Sequence, residues 1–382
     1  MSQQVYITNL AAFLPNDPVG NEEMEAILGQ SGRRPSRTRK LILRSNRIKF
    51  RYYAIAPKTG ETTHNNAQLT AEAVSRLGKQ GRDLNSIELL ACGTTMPDQL
   101  LPNHGLMVHG ELAVPPCEVI STAGICLSGM MSLKYGYLAI RAGQNKNAVA
   151  TGSENVSAII RQRNFVEQVE SAGAQPKKSA EITFEKDFLR WMLSDGAGAA
   201  WLSDQPVDNG NALRIDWIFQ KSYAGELETC MYAGAQKMAD GSLKGWREYL
   251  PHEWLDQSIF ALKQDIKLLN EKIIEYTVTR PLRELGEQGR VKAKKIDWYL
   301  PHYSSGFFRD KVYEGMRAAG CDIPQGKWFT NLSTKGNTGS ASIYIILEEL
   351  FNSGRLQKGE TMLCYIPESG RFSTSFMHLT VV

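Results

Sequence analysis

The sequence predicts an α/β layered fold built from two similar halves, and two observations carry that expectation. In the first half, CEVISTAGICLSGMMSLKYGYLAIRAG (117–143) reads as a β-branched strand, a small-residue turn at Cys126 and an amphipathic helix ending near Gly143. In the second, KWFTNLSTKGNTGSASIYIILEELFNSG (327–354) repeats the plan: a strand-like WFTN, a turn at Gly336 and Asn337, and a helix closing near Gly354. Each half then continues with β-type segments, NAVATGSENVSAI and AGAAWLSD in the first, TMLCYIPESG and RFSTSFMHLTVV in the second. Strands alternating with helices in two copies favour two sheets with helices layered against them. The division falls after the loop DQPVDNGNA, giving halves 1–207 and 208–382, with a polar insertion at about 162–190. Both central helices begin with small residues, Ser128-Gly129 and Ser340-Ala341-Ser342, which lets two helix starts approach closely.

Composition narrows the function classes. With 382 residues, 42% hydrophobic and 22% charged, the chain can bury a large core. It has no apolar run long enough to span a membrane and no leader-like N-terminus, so a cytoplasmic location with no membrane partner is expected. Six scattered cysteines without CxxC or paired Cys/His spacing predict reduced thiols and no metal site. The net charge of +4 is uneven: from Ser31 to Arg51 there are nine basic residues and no acid, leaving the rest of the chain at −5. That segment is either a solvated face or a landing site for an acidic macromolecule, a protein rather than a nucleic acid.

Chemistry concentrates at three positions. Cys126 sits where a strand meets a helix, so the helix N-terminus favours a thiolate and backbone N–H groups can form an oxyanion hole. A free cysteine is otherwise commonly a small buried hydrophobe, the reading for Cys92, Cys117 and Cys364 in their strand-like runs. His302 follows the strand-like IDWYLP, at a strand end where a site can form. Asn337 lies in the turn that corresponds to the Cys126 turn. If the halves face one another about a pseudo-twofold axis, Cys126 and Asn337 meet with His302 beside them.

The ordered set STAGICLSGMMSLKYGYLAIRAG with VATGSENVS, LSDGAGAAWLSD, YLPHYSSGFF, KGNTGSASIYIILEEL and PESGRFSTSFMHL resembles the β-ketoacyl-acyl carrier protein synthase III family of the thiolase superfamily. The resemblance implies a five-layered αβαβα thiolase-like fold, a homodimer and no bound cofactor. It makes Cys126 the acylated nucleophile, His302 and Asn337 the pair that stabilises an enolate, and the N–H groups of Cys126 and Gly370 the oxyanion hole. The substrates implied are thioesters of coenzyme A or of acyl-carrier-protein phosphopantetheine, condensed in a Claisen-type step with or without decarboxylation. Two departures stand out: LILRSNRIK puts Leu41 and Ser45 where the family's priming enzymes carry an adenine-gripping tryptophan and arginine, and HYSS replaces HQAN. These departures, with similarity to dialkylresorcinol- and pyrone-forming synthases, point to secondary metabolism. Acyl carrier protein is the expected donor partner, met by Arg37, Arg39, Lys40 and Arg44, and Leu101 stands where the family reaches into the partner's acyl tunnel. Two other readings remain open: an acyltransferase making an ester or amide, and a non-catalytic subunit of a heterodimer.

Overall fold

Nine strands form one sheet in the computed structural model, which describes residues 3–30, 39–164, 188–207 and 210–382; most of the insertion expected at 162–190 lies outside the described residues. The strands are β1 (Tyr6–Phe13), β2 (Leu89–Thr94), β3 (Glu118–Ala123), β4 (Asn147–Glu154), β5 (Gly196–Ser203), β6 (Leu213–Ser222), β7 (Trp298–Pro301), β8 (Thr361–Glu368) and β9 (Ser373–Val381). Their order is β7-β8-β9-β6-β1-β5-β4-β2-β3. Read outward from the β1/β6 seam, β1-β5-β4-β2 repeats as β6-β9-β8-β7. The parallel and antiparallel senses match pair by pair. Two separate sheets were expected. They are continuous because Tyr6 and Ile7 of β1 pair with Arg214 and Leu213 of β6. The counterpart of β3 is reduced: WFTN makes only a parallel bridge from Trp328 to Tyr299 rather than a strand.

Three apolar clusters divide the molecule into five layers. Helices α1 (Asn66–Lys79) and α2 (His104–Leu112) cover one face of the first set of strands through Leu69, Val74, Leu90 and Val149. Helix α1 is started by a capping box, with Asn65 accepting from Gln68 N at 2.8 Å and Gln68 accepting from Asn65 N at 3.1 Å. Helices α4 (Ile266–Ile274) and α5 (Arg309–Ala318) cover the outer face of the second set through Leu269, Ile273, Val312 and Met316. Between the two sets lie α3 (Ser128–Arg141) and α6 (Ser342–Phe351), whose Leu133 and Ile343 share one core with Leu10, Ala148, Leu300 and Met362. Among the described residues, no helix is long and apolar enough to cross a membrane.

The small residues at the two helix starts act as expected. A β-carbon at Gly129 would lie 2.2 Å from the carbonyl oxygen of Ser340, and one at Gly152 of β4 would lie 2.3 Å from the same atom. Ser340 Oγ donates to Ser153 O at 2.8 Å, and Tyr344 OH donates to Gly129 O at 2.7 Å, so polar groups sealed at this contact are paired. Because the obstructing atom is backbone, neither side can yield by turning a side chain. G152A should therefore destabilise the chain by roughly 3 kcal/mol or more, measured as a lowered urea midpoint. A midpoint equal to the parent's would show that the two halves have slack at this contact.

Candidate active site

Cys126 lies in the turn between β3 and α3, half-buried, and it lines two cavities at once. One, of about 420 Å³, is bounded by His302, Leu269, Ile273, Phe308 and Tyr365. The other, of about 470 Å³, is bounded by Asn337, Glu154, Val156, Met192, Met231 and Gln264. Ser304 and Ser369 border both. The three residues expected to act together thus converge where two largely apolar spaces meet. Burial, followed by the nearby carboxyls of Glu154 and Glu368, pushes the Cys126 thiol well above its ordinary range. Cys126 therefore rests as a thiol at neutral pH.

His302 follows β7 directly, and its backbone N–H bonds Tyr365 O of the parallel neighbour β8 at 2.8 Å. The ring is buried, and burial lowers its pKa to about 4. It is therefore a neutral imidazole at physiological pH, able to donate from one nitrogen without importing a charge. Asn337 is held from both sides of its backbone: its N–H donates to Met192 O at 3.0 Å, and its C=O accepts from Ser194 N at 2.9 Å. The backbone of Met192 and Ser194, just before strand β5, thus fixes the asparagine turn. The side-chain Oδ1 accepts from Gly339 N at 3.0 Å, which commits the oxygen and leaves the amide N–H groups as the donors available for chemistry. Gly370 lies in the turn between β8 and β9, where a β-carbon would stand 3.0 Å from Ile125 Cδ1, beside the Cys126 turn.

Two buried acids at the site escaped the sequence reading. Glu154 is the last residue of β4; it accepts from Ser340 N at 3.0 Å and from the Thr95 hydroxyl, and burial pushes its pKa up to about 7. Glu368 is the last residue of β8; its Oε2 accepts from Ile125 N at 2.9 Å and Leu127 N at 3.2 Å, and burial raises its pKa. Both sat in quoted motifs, SENVS and PESG. An acid closing an otherwise apolar strand was the available signal. Among the described residues, no group of His, Cys, Asp and Glu gathers to hold a metal ion.

The basic segment needs correction as a single patch. Arg51 is fully buried, donating to Trp191 O and Ile48 O, and desolvation lowers its pKa to about 10. Arg39 is paired with Glu25 at 3.0 Å and Glu22 at 3.2 Å. Lys40 and Arg44 remain exposed on the helix Arg39–Asn46, while Arg33, Arg34 and Arg37 lie outside the described residues. Leu101 lines neither Cys126 cavity within its own chain and is 85% exposed.

His302 provides a direct check on the electrostatics. Its ring signals, assigned with H302Q in histidine-labelled protein, should remain those of a neutral imidazole from roughly pH 8 to pH 5 and titrate near pH 4 by NMR. Protonation stays suppressed because the buried ring loses hydration when charged. A midpoint at the ordinary histidine value would mean that water reaches the ring.

Comparison with known proteins agrees with this architecture. Residues 287–366, which include His302 and Asn337, match the family described as 3-Oxoacyl-[acyl-carrier-protein (ACP)] synthase III C terminal. The chain is 25% identical over 352 residues to a beta-ketoacyl-[acyl-carrier-protein] synthase III of Clostridium perfringens, covering 92% of this chain and 91% of that one. It is 23% identical to the enzyme of the same name from Chlorobaculum tepidum, covering 94% and 93%. Among solved structures, it resembles AbyA1, a tetronic acid condensing enzyme (TM-score 0.72, 21% identity, 98% and 99% covered). It also resembles a cysteine-to-serine variant of Xanthomonas campestris OleA with bound lauric acid and lauroyl-CoA (TM-score 0.75, 18% identity, both chains fully covered). With its motifs in order and its histidine and asparagine inside the matched segment, the chain has the thiolase fold and is similar to the β-ketoacyl-acyl carrier protein synthase III enzymes.

Proposed function

We propose that this protein is a condensing enzyme that loads an acyl group on Cys126 and joins it to a second acyl thioester in a Claisen-type step. The observation that carries this reading is the position of Cys126 at the meeting point of two largely apolar cavities, one bordered by His302 and the other by Asn337. In acylation the Cys126 sulfur forms a bond to the thioester carbonyl carbon and the donor's C–S bond breaks. The Cys126 proton goes to the departing thiolate, with the Cys126 and Gly370 N–H groups as the oxyanion hole. In condensation the second thioester becomes an enolate, by loss of carbon dioxide or of an α-proton. Its oxygen is held by the neutral His302 ring and the Asn337 amide, and its carbon bonds the acyl carbonyl carbon as the C–S bond to Cys126 breaks; the Cys126 thiolate then takes up a proton, from solvent after decarboxylation or the equivalent of the α-proton otherwise. The repeated strand order supports treating 1–207 and 208–382 as two halves that supply different parts of this machinery.

Three partner-level readings belong with it. The enzyme works in the cytoplasm, with acyl carrier protein as its donor, because Lys40 and Arg44 are exposed and Leu41, itself exposed, offers no ring for stacking an adenine. It is a homodimer. Among the described residues, β3 is a sheet edge paired only with β2, and Leu101, Leu106 and Leu138 are at least half exposed.

Intact-protein mass spectrometry with acyl-carrier-protein thioesters of varied chain length should show one acyl adduct, mapping to the Cys126 peptide and absent from C126A. An adduct on another cysteine would defeat the assignment. In the loaded parent, malonyl- and 3-oxooctanoyl-acyl carrier protein should each be tried as the second thioester. A carbon–carbon coupled product is expected, whereas an ester or amide product would favour simple acyl transfer. Changing Lys40 and Arg44 to Ala should slow acylation from the carrier protein several-fold at low salt and leave the coenzyme A rate nearly unchanged; equal effects would remove the carrier-protein reading. Light scattering should give the mass of two chains, and L106D with L138D should halve it.

A further inference from the structure

Glu154 and Glu368 occupy matching places, since β4 and β8 hold equivalent positions in the repeated strand order and each ends on a glutamate. Each crosses to the opposite half. Glu368, from the second half, binds the N–H groups of Ile125 and Leu127 on either side of Cys126, where α3 begins and its own first residues supply no side-chain cap. Glu154, from the first half, binds the Ser340 N–H at the start of the α6 segment. The neighbouring Gly339 N–H binds Asn337 Oδ1, and the absence of a β-carbon at Gly339 leaves room for Glu154, whose Oε1 would otherwise be 2.7 Å away. Helix starts are ordinarily capped from nearby sequence; here both are capped across the molecule.

We propose that the two glutamates are positioning residues with divided roles: Glu368 sets the Cys126 peptide for acyl transfer, and Glu154 sets the Asn337 turn for the enolate step. Glu368 fixes the Gly124–Ile125 and Cys126–Leu127 peptides, so the Cys126 N–H between them is held in relation to Gly370, two residues beyond Glu368 itself. Glu154 fixes the peptide next to the one that orients the Asn337 amide. The two carboxyls also act electrostatically on the Cys126 thiol. The ionisable groups around the Cys126 thiol are Glu154, Glu368, His302, Tyr303 and Tyr365, and none of these is a cation at neutral pH. Burial chiefly keeps the thiol protonated, and the carboxyls of Glu154 and then Glu368 add to that.

This inference rests on the condensing reading, and its test separates the two. E368A and E154A, with E368Q and E154Q as variants that keep one acceptor oxygen, are assayed as full-length chains. Octanoyl-acyl carrier protein is the donor, and malonyl- or 3-oxooctanoyl-acyl carrier protein, whichever the parent turns over, is the second thioester. Loading is read by intact mass, and condensation as product formed per loaded enzyme. E368A should slow loading about 100-fold, the loss typical of a disturbed oxyanion hole, and impair condensation at least ten times less; E154A should show the reverse. The glutamine variants should recover most of each loss. Equal losses in both steps, or loading by E368A at the parent rate, would overturn the division. Iodoacetamide labelling of Cys126 at pH 7, read on its peptide, needs no substrate and decides the matter should an alanine variant fail to fold. Labelling should rise roughly five-fold in E368Q, because a charge opposing the thiolate is gone; an unchanged rate would overturn the contact. Acyl groups found on another cysteine would sink the nucleophile assignment while leaving this labelling result intact.

Discussion

The site depends on one steric constraint, the seating of the Ser340 carbonyl oxygen against two positions that have no side chain, Gly129 and Gly152. That contact brings the start of α6 against the start of α3, and everything chemical follows from the closeness. Interiors packed at crystal-like density tolerate no extra atom at such a point. The chain also satisfies the polar groups sealed there: Ser132 Oγ bonds Thr151 O at 2.7 Å, beside the bonds from Ser340 and Tyr344. A looser seam would let Asn337 drift from Cys126 without breaking either half.

Around that seam the molecule assembles a site poor in mobile charge. The imidazole is neutral because it is buried, the thiol keeps its proton for the same reason, and the two acids spend their oxygens on backbone N–H groups. An enolate oxygen formed in such surroundings meets fixed dipoles rather than water, which is where hydrogen-bond donors have their greatest effect. Ser304 and Ser369 are the polar residues common to both cavities, so hydroxyl groups mark the boundary between them. Most of the remaining wall is apolar, from residues such as Leu269, Ile273, Val156 and Met231.

Much of this was legible before any coordinate. The strand–turn–helix plan at Cys126 and at Gly336-Asn337 is written in local pattern: β-branched residues, then small ones, then an amphipathic repeat. The paired strands after each helix read equally well, because alternation is a local signal. Three things were not legible, each for a physical reason. WFTN looks like a strand but finds a neighbour only at Tyr299, since strand formation needs a partner as well as propensity. Arg39 and Arg51 look like surface charge, yet one is taken up by Glu22 and Glu25 and the other by backbone carbonyls; pairing partners distant in sequence decide burial. Glu154 and Glu368 passed unnoticed because their partners lie 186 and more than 240 residues away, and no periodicity encodes such a contact.

The crossed caps carry a consequence for how the polypeptide can be divided. The amides at the start of α3 are satisfied by a residue near the end of the chain, and the amide at Ser340 by one in the first half. A fragment ending between the halves would keep Cys126 but leave its flanking N–H groups without an acceptor. The complementary fragment would keep His302 and Asn337 on a turn missing its anchor. Neither piece holds a weakened version of the centre; each holds an unfinished one, and the finished one exists only in the bound pair. A gene split between the halves would therefore restore the crossed caps only where its two products associate.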